Sequence, residues 1–192
     1  MKNTELKFFI DTTVAISAIT GRNKDAWILL ESGKKSLISL FVNEFVIKEI
    51  RRTLREFDFS QEKINYAIDY VSECCIIRKN FPKAKFSKYV IQDRNDIPIL
   101  AGAVQESAIL VTEDNALKND ARKYLECVNP SEALIITLIK NNQNGRGASI
   151  EKVISESAGK GIDREHVLEY INHLKFQGEA YEPKNGEIKY LF

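Results

Sequence analysis

Asp11, Glu49, Asp96 and Asp114 lie far apart in the chain, yet each stands where a short apolar run gives way to a helical pattern. Carboxylate oxygens with no cysteine or histidine beside them suit hard cations such as Mg²⁺ or Mn²⁺. Four acids gathered together repel one another and raise each other's pKa values, and a cation keeps them ionised. A divalent ion held this way activates water and relieves charge on a phosphodiester under attack. The four are therefore candidate metal ligands and catalytic groups of a nuclease.

Each acid also has an ordinary reading. Asp11 follows the apolar run LKFFI and could simply cap the next helix. Asp96 occupies the first turn of a helix with apolar face Ile97, Leu100, Ala103 and Val104, where an acid favours the helix dipole and Pro98 marks the terminus. Asp93 or Asn95 could cap that helix instead and leave Asp96 to project inward. Asp114, two residues after the run Ile109 to Thr112, could again be a cap. Glu49 is more telling. Its helix carries an apolar stripe of Val46, Ile50, Thr53, Leu54 and Phe57, and at 100° per residue Glu49 falls on the edge of that stripe, between Phe45 and Leu54. Glu44, Lys48, Arg51 and Arg55 lie on the far side, whereas Glu56 shares the edge. A charge on a buried edge wants a partner.

The elements that would position these groups alternate short apolar runs with helical patterns, the signature of a parallel α/β sheet. Strands are expected at Leu6 to Ile10, Leu37 to Phe41, Cys75 to Arg78, Ile109 to Thr112 and Leu125 to Val128. Helices are expected at Asp25 to Ser32, Asn43 to Phe57, Gln61 to Ser72, Asn95 to Ser107 and Asn115 to Lys123, with another after Pro130 through Ala133 to Ile139. Five strands with interleaved helices make a three-layer α/β/α domain. In open sheets of this kind, ligands bind outside the carboxyl ends of the strands, where strand order reverses. Asp11 and Asp114 end strands, and Glu49 and Asp96 are expected in the first turns of helices that begin at the same rim.

The run NNQNGRGAS at Asn141 to Ser149 interrupts the pattern. It suggests a main domain over 1–141 and a C-terminal domain over 142–192, with the helix 131–141 open to being shared. Beyond it, two helical stretches, Ile150 to Ala158 and His166 to Leu174, precede two strands around a Lys184-Asn185-Gly186 turn. These are the ingredients of a small α+β winged helix. From Gly145 to Phe192 there are seven Lys and Arg against eight Asp and Glu. That balance argues against strong phosphate binding and makes protein contact or homo-oligomer formation as good a role. His166 and His173, seven residues apart and without Cys, read as surface or core residues.

A formal net charge of +1 excludes global steering toward nucleic acid. Any such contact must use a local patch. One candidate is Arg78 to Arg94, RKNFPKAKFSKYVIQDR, whose six basic residues stand against one acid, Asp93, with Phe81, Phe86 and Tyr89 interleaved. Basic groups for phosphates and rings for stacking serve single-stranded nucleic acid, although a solvated loop with buried anchors accounts for the pattern as well. Within this path Lys83, Lys85, Lys88 and Arg94, joined by Arg51 and Arg52 beside Glu49, are candidate substrate contacts. A composition of 44% hydrophobic and 29% charged residues excludes a disordered chain. Three cysteines, Cys74, Cys75 and Cys127, show no CxxC spacing and read as reduced cytoplasmic thiols. No stretch approaches the apolar length of a membrane span.

FFIDTTV, VIKEIRRTL, DRNDIPILAGA and ILVTEDNAL, in this order over residues 6 to 140, resemble PIN-domain ribonucleases. The resemblance implies that Asp11, Glu49, Asp96 and Asp114 form a Mg²⁺ or Mn²⁺ site. It makes Thr13 and Thr112 supporting hydroxyls, with Thr13 standing where Asn or Ser is more usual, and Asp93 an additional acid. It also implies a sheet of order 3-2-1-4-5 and cleavage of RNA, or DNA, by activated water. Asp11, Asp96 and Asp114 would then hold the metal, and Glu49 would place the attacking water or a second ion. The alternative is a non-catalytic RNA- or protein-binding adaptor, against which the intact acid set speaks. A haloacid-dehalogenase-type phosphatase would need a carboxylate where Thr13 stands. A receiver domain would need an acid after the third strand, which ends in Arg78. The C-terminal segment GIDREHVLEYINHLKFQGEAYEPKNGEIKYL resembles the small terminal domain of archaeal replicative helicases.

Overall fold

The computed structural model describes residues 6–80 and 82–191. The chain divides into two compact units on either side of Pro130 and Ser131. In the first, β1 (Lys7–Ile10), β2 (Ser39–Asn43), β3 (Ile76–Arg78), β4 (Ile109–Val111) and β5 (Cys127–Val128) form one parallel sheet in the order β3-β2-β1-β4-β5. This is the order expected, and it makes β1 the central strand with β2 and β4 on either side. The register of β1 with β4 sets Ile10 opposite Val111. Phe8, Phe9 and Ile10 are fully buried, as strands covered on both faces require.

The connecting helices are α1 (Thr12–Ile19), α2 (Lys24–Lys34), α3 (Glu44–Glu56), α4 (Gln61–Cys74), α5 (Ile97–Glu106) and α6 (Asn115–Ala121). Most lie where the pattern placed them. The exception is α1, which the periodicity did not reveal, because TTVAISAI is rich in β-branched residues and apolar nearly all round. Fully buried Asn43 joins two elements at the rim. Its side-chain oxygen accepts the Val46 amide at 3.1 Å, capping α3, and its Nδ2 donates to the Pro98 carbonyl at 2.9 Å in the first turn of α5. Gly102 lets α5 settle onto the sheet, since a Cβ there would lie 2.6 Å from the Phe9 ring and 3.1 Å from Nδ2 of Asn43. Among the described residues no helix is long and apolar enough to cross a membrane.

The second unit contains α7 (Pro130–Asn142), β6 (Ala148–Ser149), α8 (Ile150–Ala158), α9 (Arg164–Gln177), β7 (Ala180–Lys184) and β8 (Glu187–Tyr190). Its sheet is antiparallel in the order β6-β8-β7. The division in contacts falls ahead of the Asn141–Ser149 stretch, so α7 groups with the C-terminal elements. Val153, Val167, Ile171, Leu174, Ile188 and Tyr190 are buried in this unit. Pro183 is tolerated because β7 is an edge strand, and the ladder is irregular between Tyr181 and Lys184. Gly186 turns the hairpin at φ 79°.

Candidate metal centre

Asp11 extends the pairing of β1 with β4 by one bond, its amide donating to the Val111 carbonyl at 3.0 Å. It occupies the N-cap position of α1, but its carboxylate makes no capping bond. Instead Oδ2 accepts the Thr13 hydroxyl at 2.6 Å and the Thr112 hydroxyl at 2.7 Å. Asp11 is 3% exposed. Burial pushes its carboxyl above the usual range, the two hydroxyls and the Thr12 amide oppose that rise, and the Asp114 charge adds to it.

Asp114 does cap α6: its Oδ1 accepts the amides of Ala116 at 2.7 Å and Leu117 at 3.1 Å. The capping reading thus holds for one oxygen. Its own amide donates to Thr112 Oγ1 at 3.0 Å, so that one buried hydroxyl connects Asp11 to Asp114.

Asp96 lies where a short 3₁₀ turn, Arg94–Asp96, runs into α5, and its carboxylate makes no capping bond. Asp93 takes the local capping role by accepting the Asn95 amide at 2.8 Å. The Asp96 carboxyl is pushed up to about 7, first by burial and then by the charges of Asp11, Asp93, Asp114 and Glu49. All four neighbours therefore act on it at once.

Glu49, with its side chain 17% exposed, faces the same rim from α3. One oxygen accepts the Thr12 hydroxyl at 3.3 Å and the other pairs with Arg52 at 2.9 Å. Burial raises its carboxyl, Arg52 and Thr12 oppose the rise, and Asp11 and Asp93 add to it.

Among the described residues no group of three or more histidine, cysteine or carboxylate side chains is arranged to hold a metal ion directly. The charges sense one another without forming a closed cage. An all-oxygen donor set of this kind fits a hydrated hard cation, because Mg²⁺ keeps several waters and takes only one or two carboxylates directly. Zinc, which wants nitrogen or sulfur, does not fit it.

Of the candidate basic contacts, Arg52 is committed to Glu49 and, at 3.7 Å, to Glu56. Arg51 is half-buried, and Lys88 and Arg94 are exposed. Phe81 and the side chains of Lys83 and Lys85 lie outside the described residues. The loop around them is anchored. Tyr89 is buried with its ring edge-on to Tyr124 at 5.3 Å, the Val90 amide donates to the Tyr124 hydroxyl at 2.7 Å, and Lys123 donates to the Val90 carbonyl. Tyr89 is thus an anchor, while Phe86 stays half-exposed.

Sequence reasoning missed a second polar group beside the acids. Ser17 and Asn23 both donate to the carboxylate of Glu113, the residue between Thr112 and Asp114. It also missed Thr12 as a partner of Glu49. Recognising α1 would have exposed the first, since Thr13 and Ser17 then fall one turn apart on one face.

Residues 7–116 match the family model described as a PIN domain. VapBC2 from Rickettsia felis, solved bound to a DNA fragment from its promoter, aligns at 19% identity and TM-score 0.53 over 65% of this chain and 98% of that one. VapBC-1 from nontypeable Haemophilus influenzae aligns at 16% identity and TM-score 0.48 over 66% and 99%. A PilT N-terminus domain protein from Sulfolobus solfataricus aligns at 13% identity and TM-score 0.47 over 69% and 94%. At 19% identity the likeness to the Rickettsia felis structure is one of fold. No curated protein matches the chain.

Proposed function

The chain belongs to the PIN-domain family, and from that premise we propose that it is a divalent-metal-dependent endoribonuclease using Asp11, Glu49, Asp96 and Asp114. The observation that carries the reading is Asp96, an uncapped carboxylate held up to about 7 by burial and by the charges of four neighbouring acids. Repulsion of that kind is retained where a cation relieves it.

In this reading Asp11, Asp96 and Asp114 hold Mg²⁺ or Mn²⁺ directly or through water. The ion, when bound, supplies Lewis-acid stabilisation of the phosphate and a water of lowered pKa. Thr13 and Thr112 favour the ionised form of Asp11 and aim it, and Asp114 retains Oδ2 beyond its capping role. Glu49 orients the attacking water, and Arg52 favours the charged form of its carboxylate. Exposed Lys88 and Arg94 would steady the backbone of a single strand.

The test is cleavage of 5′-labelled single-stranded RNA with Mn²⁺, followed by analysis of the product ends. Water attack leaves 5′-phosphate and 3′-hydroxyl ends, and 2′,3′-cyclic ends would sink the mechanism. One observation favours a second reading, the non-catalytic adaptor: both Glu49 oxygens already have protein partners. That reading expects RNA binding with no cleavage.

For the C-terminal unit we propose a winged-helix-like module that contacts a protein partner or a second copy. Support comes from its acidic balance and from Phe176, 91% exposed on α9 beside the exposed Glu169 and Asn172.

A further inference from the structure

Thr13 and Ser17 stand four residues apart on one face of α1, and a single residue, Glu113, reaches both. The Glu113 amide donates to Thr13 Oγ1 at 3.4 Å, and its Oε2 accepts the Ser17 hydroxyl. Its Oε1 accepts the side-chain amide of Asn23. Asn23 in turn caps α2, its oxygen accepting the amides of Asp25 at 2.8 Å and Ala26 at 3.2 Å. Glu113, on the β4–α6 connection, therefore holds the beginning of α1 through its amide and the middle of α1 and the start of α2 through its side chain.

We propose that Glu113 is a positioning residue that fixes the distance between Asp11 and Asp114 and so sets the affinity of the site for a divalent ion. Glu113 lies between Thr112, which bonds Asp11, and Asp114, so its backbone angles decide where Asp114 points. Its carboxylate bonds Ser17 on α1, the helix that follows Asp11, and Asn23 at the start of α2. With that grip released, two carboxylates that repel each other across the β1–β4 seam are free to move apart, and a cation must draw them together again. Residues that orient metal ligands typically change metal affinity by roughly 10- to 100-fold when lost.

The inference rests on the metal-dependent nuclease reading, and Mn²⁺ binding followed by calorimetry tests it without relying on cleavage. Glu113→Ala is expected to weaken Mn²⁺ binding about tenfold. Glu113→Gln, which keeps one acceptor, recovers part of that loss. Should Glu113→Ala fail to fold, Ser17→Ala, which removes one hydroxyl from the grip, is expected to weaken binding several-fold. Glu73→Gln, which breaks the remote Lys34–Glu73 pair, serves as the control and binds Mn²⁺ as wild type does. A lowered Tm in Glu113→Ala or Ser17→Ala with unchanged Mn²⁺ affinity would reduce Glu113 to a stabilising contact and overturn the inference alone. Absence of Mn²⁺ binding by the wild type would remove the nuclease reading and this inference together.

Discussion

The Thr112 hydroxyl donates to Oδ2 of Asp11 across the β1–β4 seam at 2.7 Å, and Thr112 Oγ1 in turn accepts the Asp114 amide at 3.0 Å. Thr112 is 1% exposed, so neither bond is shared with bulk water. Thr112→Val keeps the shape and removes both bonds, leaving a polar amide poorly satisfied. The expected cost is about 1–3 kcal/mol of stability, read from chemical denaturation. Activity should fall further than stability explains, because Asp11 loses a bond that favours its charged form. A variant with wild-type stability and wild-type turnover would contradict the role assigned to the hydroxyl.

Asp96 gives the site a pH signature in the metal-free protein. Its folded value of about 7 lies above the ordinary 3.8, so the folded state binds the extra proton between those limits. Unfolding stability therefore falls as pH rises through that window and levels off above it. Other groups superimpose their own slopes, and the difference between wild type and Asp96→Asn isolates this one. Asp96→Asn should gain stability relative to wild type from about pH 4 to 7. A difference independent of pH would show that Asp96 is not held up in this way.

Gly102 tests how the fold carries the site. Alanine there would press a methyl group against the Phe9 ring at 2.6 Å and crowd Asn43, the residue joining α3 to α5. Overpacking of this kind costs roughly 1–3 kcal/mol. The Tm of Gly102→Ala should drop accordingly, and turnover should drop as well, because Glu49 and Asp96 sit on the two helices that Asn43 connects. A fall in Tm alone would separate packing from the site.

Arg52 distinguishes a site residue from a substrate contact. Its pairing with Glu49 at 2.9 Å assigns it to the carboxylate. Arg52→Ala should then lower kcat with little change in KM for RNA. A raised KM at unchanged kcat would return Arg52 to the substrate path.

Most of the sheet and two features of the acid rim could be read from residues alone, because buried parallel strands leave unmistakable short apolar runs. Glu49 betrayed itself by sitting on the edge of an apolar stripe. Asp96 was separable from a simple cap because Asp93 stood ready to take that role, as it does. What stayed hidden depended on α1. The Thr12–Glu49 bond and the contacts of Glu113 with Thr13 and Ser17 arise only once Thr12–Ile19 is helical, and its β-branched, largely apolar pattern gives no helical period. Tyr89 was misleading in another way, since exposed and buried aromatics in a basic loop look alike until Tyr124, far along the chain, is seen beneath one of them.

Mn²⁺ titration by calorimetry of wild type and Asp96→Asn, with cleavage of labelled single-stranded RNA measured on the same samples with and without EDTA, addresses the account at its centre. Saturable Mn²⁺ binding by wild type, weakened in Asp96→Asn and matched by loss of cleavage in the variant and in EDTA, is the expected result. Cleavage that persists in EDTA or in Asp96→Asn would contradict the account, and so would Mn²⁺ binding that the substitution leaves unchanged.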